Sequence, residues 1–107
     1  MLHDGLYSAW FKTASADGVG VIELANQKMS GRDTVIEYSG SFTQDGGTFK
    51  ATISTRRHSI GQQSLFGIDD LDLEFEGKSG QTTAICTGTV RQFPGVPLEV
   101  VLVRIEG

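Results

Sequence analysis

The chain has 107 residues, the size of one ordinary domain, and its 38% apolar and 21% charged composition fits a folded protein with a single core. Its net charge of −4 argues against direct binding of nucleic acid, which needs a basic surface. The single cysteine excludes an internal disulfide and suits a reducing compartment. No stretch approaches the ~18 apolar residues of a membrane helix, and the first residues lack a signal-peptide pattern. We therefore expect a cytoplasmic protein without membrane contact.

Taken in chain order, the sequence predicts eight short strands separated by turn signals. Asp45 and Gly46 form the clearest hairpin signal, because this dipeptide suits a short reversal. Fourteen glycines spread along the chain suit many tight turns. The predicted strands span residues 5–12, 19–25, 28–30, 34–42, 48–55, 71–76, 81–90 and 97–105.

The longest connection between predicted strands is 58–69. It lacks a sustained helical period, and Gly61 and Gly67 limit any helix to one or two turns. We predict a loop with a short helical turn that closes one end of the sheet.

The strand pattern predicts an all-β single domain over residues 1–107. Antiparallel neighbours joined by short turns form a meander, and its two edges stay unpaired unless the sheet closes. Eight strands can close without strain, so we favour an eight-stranded antiparallel up-and-down β-barrel over a two-sheet sandwich.

The last predicted strand is apolar on both faces, whereas a half-exposed strand has only one apolar face. Two interpretations stay open. Either the 58–69 connection or a terminus covers the outer face, or the strand forms a dimer interface with a neighbouring strand. The two faces are Leu98, Val100 and Leu102 on one side, and the candidate dimer residues Val101, Val103 and Ile105 on the other.

The stretch 69–77 carries a row of carboxylates. Neighbours on one strand face lie ~7 Å apart. That spacing is too wide for two of them to share one calcium ion, whose ligands lie at ~2.3–2.6 Å. The spacing would fit a pair of catalytic carboxylates such as glycosidases use, but nothing in the sequence indicates a cleft at this strand. The remaining interpretations are a solvated face or an acidic docking surface for a basic partner. With a period of two, Leu71, Leu73 and Phe75 face one way and Asp70, Asp72, Glu74 and Glu76 the other.

No catalytic constellation stands out in the sequence. His3 and His58 lie apart from residues that could share a metal or a reaction with them. Cys86 falls on the predicted core face, where burial makes a thiol a poor nucleophile. Phosphate-binding, nucleophile-elbow and metalloprotease motifs are missing. The sequence therefore predicts a protein that is not an enzyme and uses no metal or cofactor.

Three stretches in the first half carry a family resemblance. They are DGLYSAWF (4–11), GVGVIELANQKMSGRD (18–33) and YSGSF (38–42). Their order resembles the GrlR-like family, small bacterial proteins described as negative regulators of type III secretion gene clusters. The resemblance covers roughly residues 3–55, and the second half matches in strand pattern more than in residues.

The resemblance implies a calycin-like, lipocalin-like barrel that forms a homodimer and represses by binding a transcriptional activator protein instead of DNA. It places the family's acidic contact run in the turn at 43–47, where this chain keeps one acid, Asp45, beside Gln44. We therefore predict partner binding through Gln44, Asp45 and the carboxylates at 70, 72, 74 and 76.

The alternative function is binding of a small apolar ligand or lipid inside the barrel. A cavity on the order of several hundred Å3 would favour it. Bulky side chains that point inward would instead fill the interior, and the candidates are Trp10, Phe11, Phe42, Phe49 and Phe75.

Overall fold

The computed structural model describes residues 1–14, 17–32, 36–57 and 70–106. Every strand pairs antiparallel with its sequence neighbours, and β8 also pairs with β1, so the sheet closes into a barrel. This confirms the predicted eight-stranded antiparallel barrel over the sandwich. The helical turn predicted within 58–69 lies outside the described residues. The strands are β1 (Gly5–Lys12), β2 (Asp17–Ala25), β3 (Lys28–Arg32), β4 (Ile36–Asp45), β5 (Thr48–Arg57), β6 (Leu71–Ser79), β7 (Thr83–Val90) and β8 (Phe93–Glu106).

Two-residue turns join several of these strands. Asn26 and Gln27, between β2 and β3, have φ angles of 52° and 65°. A turn with two left-handed residues matches the twist of paired strands, so it makes a tight hairpin. Gly46, with φ at 62°, begins the turn between β4 and β5, and Asp45 is the last residue of β4.

Strand β8 begins earlier than its sequence predicts. The sequence places Pro94 in a connection and Pro97 at the start of the last predicted strand, and the structure places both inside β8. The pairing with β7 shifts register between Thr89 and Val90, and such a bulge tolerates residues that cannot donate a ladder hydrogen bond.

Aromatic rings fill much of the described interior. Phe49 is fully buried, and its ring stacks against those of Phe42 and Phe75 at centroid distances of 5.3 and 6.4 Å. Phe11 also faces inward and is buried. Trp10, a candidate for the interior from its bulk, instead faces outward and is 52% exposed, because adjacent residues on a strand face opposite sides.

Two inward-facing glycines allow neighbouring strands to approach closely. A Cβ atom on Gly40 would collide with the carbonyl oxygen of Thr52, and one on Gly88 with the carbonyl oxygen of Glu74. Glycines at such bends let a small barrel curve tightly. Gly88 therefore helps to fix the position of β6, the strand that carries the carboxylates.

Candidate functional site

Strand β6 places its carboxylates on the outside of the barrel. Its apolar residues Leu71, Leu73 and Phe75 are buried. The alternation predicted from the sequence is therefore confirmed. We call Asp70, Asp72, Glu74 and Glu76 the acidic row, in which Asp72 is half-buried and the other three are exposed.

Two carboxylates of the acidic row, those of Glu74 and Glu76, are exposed, and the strand register gives their cross-strand neighbours. Glu74 lies in register between Thr52 of β5 and Thr89 of β7. Glu76 lies in register with Lys50 of β5, the one cation in its cross-strand row on that side. Two grooves of about 420 and 490 Å3, both partly open to solvent, border this surface. A partner can therefore reach both glutamates.

Asp72 differs from its neighbours because its carboxylate is held in place. The Ser54 hydroxyl donates to Asp72 Oδ1 at 2.9 Å, and Gln92 Nε2 donates to Oδ2 at 3.2 Å. The Asp72 backbone N–H donates in return to Gln92 Oε1 at 3.0 Å. These side-chain bonds, Ser54 first, and the positive charges of Arg91 and Arg56 lower the pKa of Asp72. Asp72 is thus a fixed, ionised member of the row.

Gln44 and Asp45, the other predicted contact residues, differ in their surroundings. Asp45 is exposed, and β5 separates it from the acidic row. Gln44 Oε1 accepts the Leu2 N–H at 2.7 Å, and Gln44 Nε2 donates to the Leu2 carbonyl at 2.9 Å. Because Leu2 is only 5% exposed, Gln44 fastens the N-terminal segment to the barrel.

Two observations among the described residues bear on metal binding and on nucleophilic chemistry. None of the described His, Cys, Asp and Glu residues gather in a group of three or more that could hold a metal ion. Burial, together with the charge of Glu76, raises the pKa of Cys86 to about 11, so this side chain stays a thiol at neutral pH. His58 lies outside the part of the chain that the structure describes.

A second outer surface is apolar and spans four strands. Val101 of β8 pairs in register with Trp10 of β1 and with Ile85 of β7, and Trp10 pairs with Val19 of β2. These four residues form one cross-strand row, in which Ile85 is 65% exposed. We call the whole surface the apolar stripe, made of Trp10, Val19, Val21, Ile85, Val101, Val103 and Ile105.

The apolar stripe contains the three candidate dimer residues. Val103 and Ile105 are exposed and Val101 is half-buried, while the opposite face of β8 is buried. Sequence reasoning missed Trp10, Val19, Val21 and Ile85. The available signal was an apolar residue at an outward position on each strand, but only the register between strands shows that these positions adjoin.

No protein-family model matches the chain, and a search of curated proteins finds no match either. Within the described ranges, no helix is long and apolar enough to cross a membrane.

Proposed function

We propose that the protein is a non-enzymatic bacterial regulator, resembling GrlR-type negative regulators, that acts in the cytoplasm by binding a transcriptional activator protein. The acidic row is its docking surface. One observation carries the proposal: Glu74 and Glu76 stand exposed on one strand face beside open grooves.

Electrostatics indicate which partner such a surface suits. The chain carries a net charge of −4, and the acidic row concentrates three carboxylates on β6 and a fourth, Asp70, directly before it. A negative patch repels nucleic acid and attracts a basic protein surface, which speeds association and sets the orientation of the partner. The bonds that hold Asp72 reduce the side-chain freedom lost when a partner binds.

The interior supports protein contact over the alternative of a bound apolar ligand. A ligand site needs a cavity on the order of several hundred Å3. The stacked rings of Phe42, Phe49 and Phe75 occupy the described interior beneath the acidic row.

The proposal is tested by recovering partners from the native cell with the tagged chain and its Glu74→Gln/Glu76→Gln variant. We expect the wild type to recover a DNA-binding activator and the variant to bind that activator about tenfold or more weakly, with a shallower salt dependence. The matched control is Glu23→Gln/Glu37→Gln, which removes the same charge from two exposed glutamates on β2 and β4. Equal binding by both variants, or a copurifying small molecule without a protein partner, would contradict the proposal.

A further inference from the structure

Residues 1–4 lie at the end of the barrel where β1 begins and β4 ends, and they precede the sheet without joining it. We call them the strap. Leu2 is buried and belongs to the core cluster, whereas Met1, His3 and Asp4 are exposed. One apolar side chain therefore anchors the strap, and its burial favours the closed position.

Side chains, instead of a strand ladder, hold the backbone of the strap. Gln44 Oε1 accepts the Leu2 N–H at 2.7 Å, and Gln44 Nε2 donates to the Leu2 carbonyl at 2.9 Å. The Tyr7 hydroxyl donates to the His3 carbonyl at 2.6 Å. A segment with few attachments and one buried side chain opens locally at a lower free energy than the strands of the core.

Gln44 is the main attachment, because one side-chain amide bonds both backbone groups of Leu2. Loss of that amide releases the N–H and the carbonyl together. Gln44 Oε1 also accepts the Ser79 hydroxyl at 3.3 Å, at the end of β6. This third bond restricts the rotation of the Gln44 amide and keeps it directed at Leu2 in the closed position.

Gly5 lies between the strap and the rest of β1. Its φ angle is 148°, a backbone conformation that residues with a side chain rarely adopt. Gly5 is also the first residue of β1 in register with β2, so rotation at Gly5 moves the strap and leaves the later pairs of β1 in place. Hinges are such residues at the end of an element, where the change in φ and ψ is absorbed.

A recess of about 460 Å3 lies between the strap and the barrel and is partly open to solvent. Leu2 lines it from the strap, Phe42 and Gln44 line it from β4, and the turn that joins β2 to β3 completes it. Phe42 is buried while the strap is in place. Withdrawal of Leu2 enlarges the recess and exposes the Phe42 ring.

We infer that the strap is a gate at this end of the barrel, hinged at Gly5 and held closed by Gln44, which opens locally and exposes Phe42 while the barrel stays folded. The inference is independent of the proposed activator contact, because the bonds that hold the strap involve no member of the acidic row.

Hydrogen exchange of the backbone amides, followed by NMR on the full chain, tests the inference. We expect the Leu2 amide to be protected, but about a hundredfold or more less than the amide of Ile53 in the middle of β5. The exchange rate of Leu2 should also be insensitive to low concentrations of urea, because local opening exposes little surface.

Gln44→Ala should raise the exchange rate of the Leu2 amide about tenfold or more, and Ile53 should remain the better protected of the two. The matched control is Gln81→Ala, which removes the same amide from an exposed residue between β6 and β7 and should leave the Leu2 rate unchanged. A Leu2 amide that exchanges as slowly as Ile53, or as fast as in an unfolded chain, would overturn the inference. So would a Leu2 rate that Gln44→Ala leaves unchanged.

A variant that holds the strap open provides a second readout. Leu2→Asp directs a carboxylate at a buried position, so the strap should leave the barrel. The fluorescence of the apolar dye ANS should then rise above the wild-type level, while circular dichroism still shows the folded barrel. His3→Asp is the control, because it places the same carboxylate on an exposed residue of the strap. Unfolding of Leu2→Asp, or dye fluorescence equal to that of His3→Asp, would make the strap a fixed part of the core and contradict the gate.

Discussion

The acidic row and the apolar stripe are two surfaces of one barrel that differ in kind. Both consist of outward positions in strands that alternate between core and solvent. Beneath both lie closely packed apolar side chains. The requirements of the fold act mainly on the inward positions, so they do not by themselves explain the contrast between the outer surfaces.

Each surface is unfavourable for an isolated chain, and for a different physical reason. Like charges along β6 repel one another, and an exposed apolar patch invites association. A surface selected only for solubility would mix charges of both signs and avoid such a patch. A change at either surface should therefore be compared with a matched change in the core, which supports both surfaces.

The largest effect should come from the interior that supports both surfaces. Phe49→Ala removes the central ring of a stack and should lower the free energy of unfolding by about 3–5 kcal/mol. Trp10→Ala is the matched control, because it truncates an aromatic side chain on the outside of the barrel. It should change the free energy of unfolding by less than about 1 kcal/mol. Denaturant unfolding at low protein concentration measures both values. Similar losses would mean that the outward ring also supports the fold.

A smaller loss should follow from crowding the strand beneath the acidic row. Gly88→Ala directs a methyl group at the Glu74 carbonyl, which belongs to backbone and cannot move cheaply. We expect a loss of about 1–3 kcal/mol and faster hydrogen exchange along β6.

Gly18→Ala is the control, because a Cβ atom at Gly18 meets nothing within 4 Å. Its effect should stay within about 1 kcal/mol of zero, in either direction. If Gly18→Ala destabilised as much as Gly88→Ala, the close approach of strands would not explain the loss.

The sequence predicted the acidic row well because a half-buried strand obeys a period of two. Once Leu71, Leu73 and Phe75 are assigned to the core, the carboxylates that alternate with them must face outward. The same rule explains the error at Trp10, since Phe11 beside it is buried and adjacent residues cannot both face inward.

The apolar stripe could not be predicted because it depends on register across four strands. Ile85 and Val19 are far apart in sequence, and they share a row only through the pairing of β7, β8, β1 and β2. Gln44 is a similar case. Its hydrogen bonds to Leu2 join residues 42 positions apart, and no local sequence pattern predicts them.

The two exposed glutamates of the acidic row should respond differently to neutralisation. Glu74 faces threonines in register on both sides and follows Asp72 along β6, so Glu74→Gln should raise the free energy of unfolding by about 0.2–0.5 kcal/mol. Glu76 faces Lys50, so Glu76→Gln also loses the attraction between these two charges. Its free energy of unfolding should therefore rise by less than that of Glu74→Gln. Thermal unfolding at low salt measures the difference, which 1 M salt should remove. An equal gain from both variants would contradict the role of Lys50.

The smallest effect should appear in the titration of Asp72, the one member of the row with a fixed carboxylate. Its pKa is lowered in the folded chain, so the bonds to the ionised form stabilise the fold above the pKa of the unfolded chain, and this contribution is lost as pH falls through the folded pKa. Ser54→Ala removes the largest cause and should return the pKa of Asp72 toward its ordinary value, as followed by NMR of the carboxyl carbon. Ser39→Ala removes the same hydroxyl one strand farther away, at the register partner of Ser54, and should leave the titration unchanged. If the pKa of Asp72 were unchanged in Ser54→Ala, the lowered pKa would have to come from Gln92 and the nearby arginines instead. The hydrogen bond from Ser54 on β5 would then not be what stabilises the ionised carboxylate.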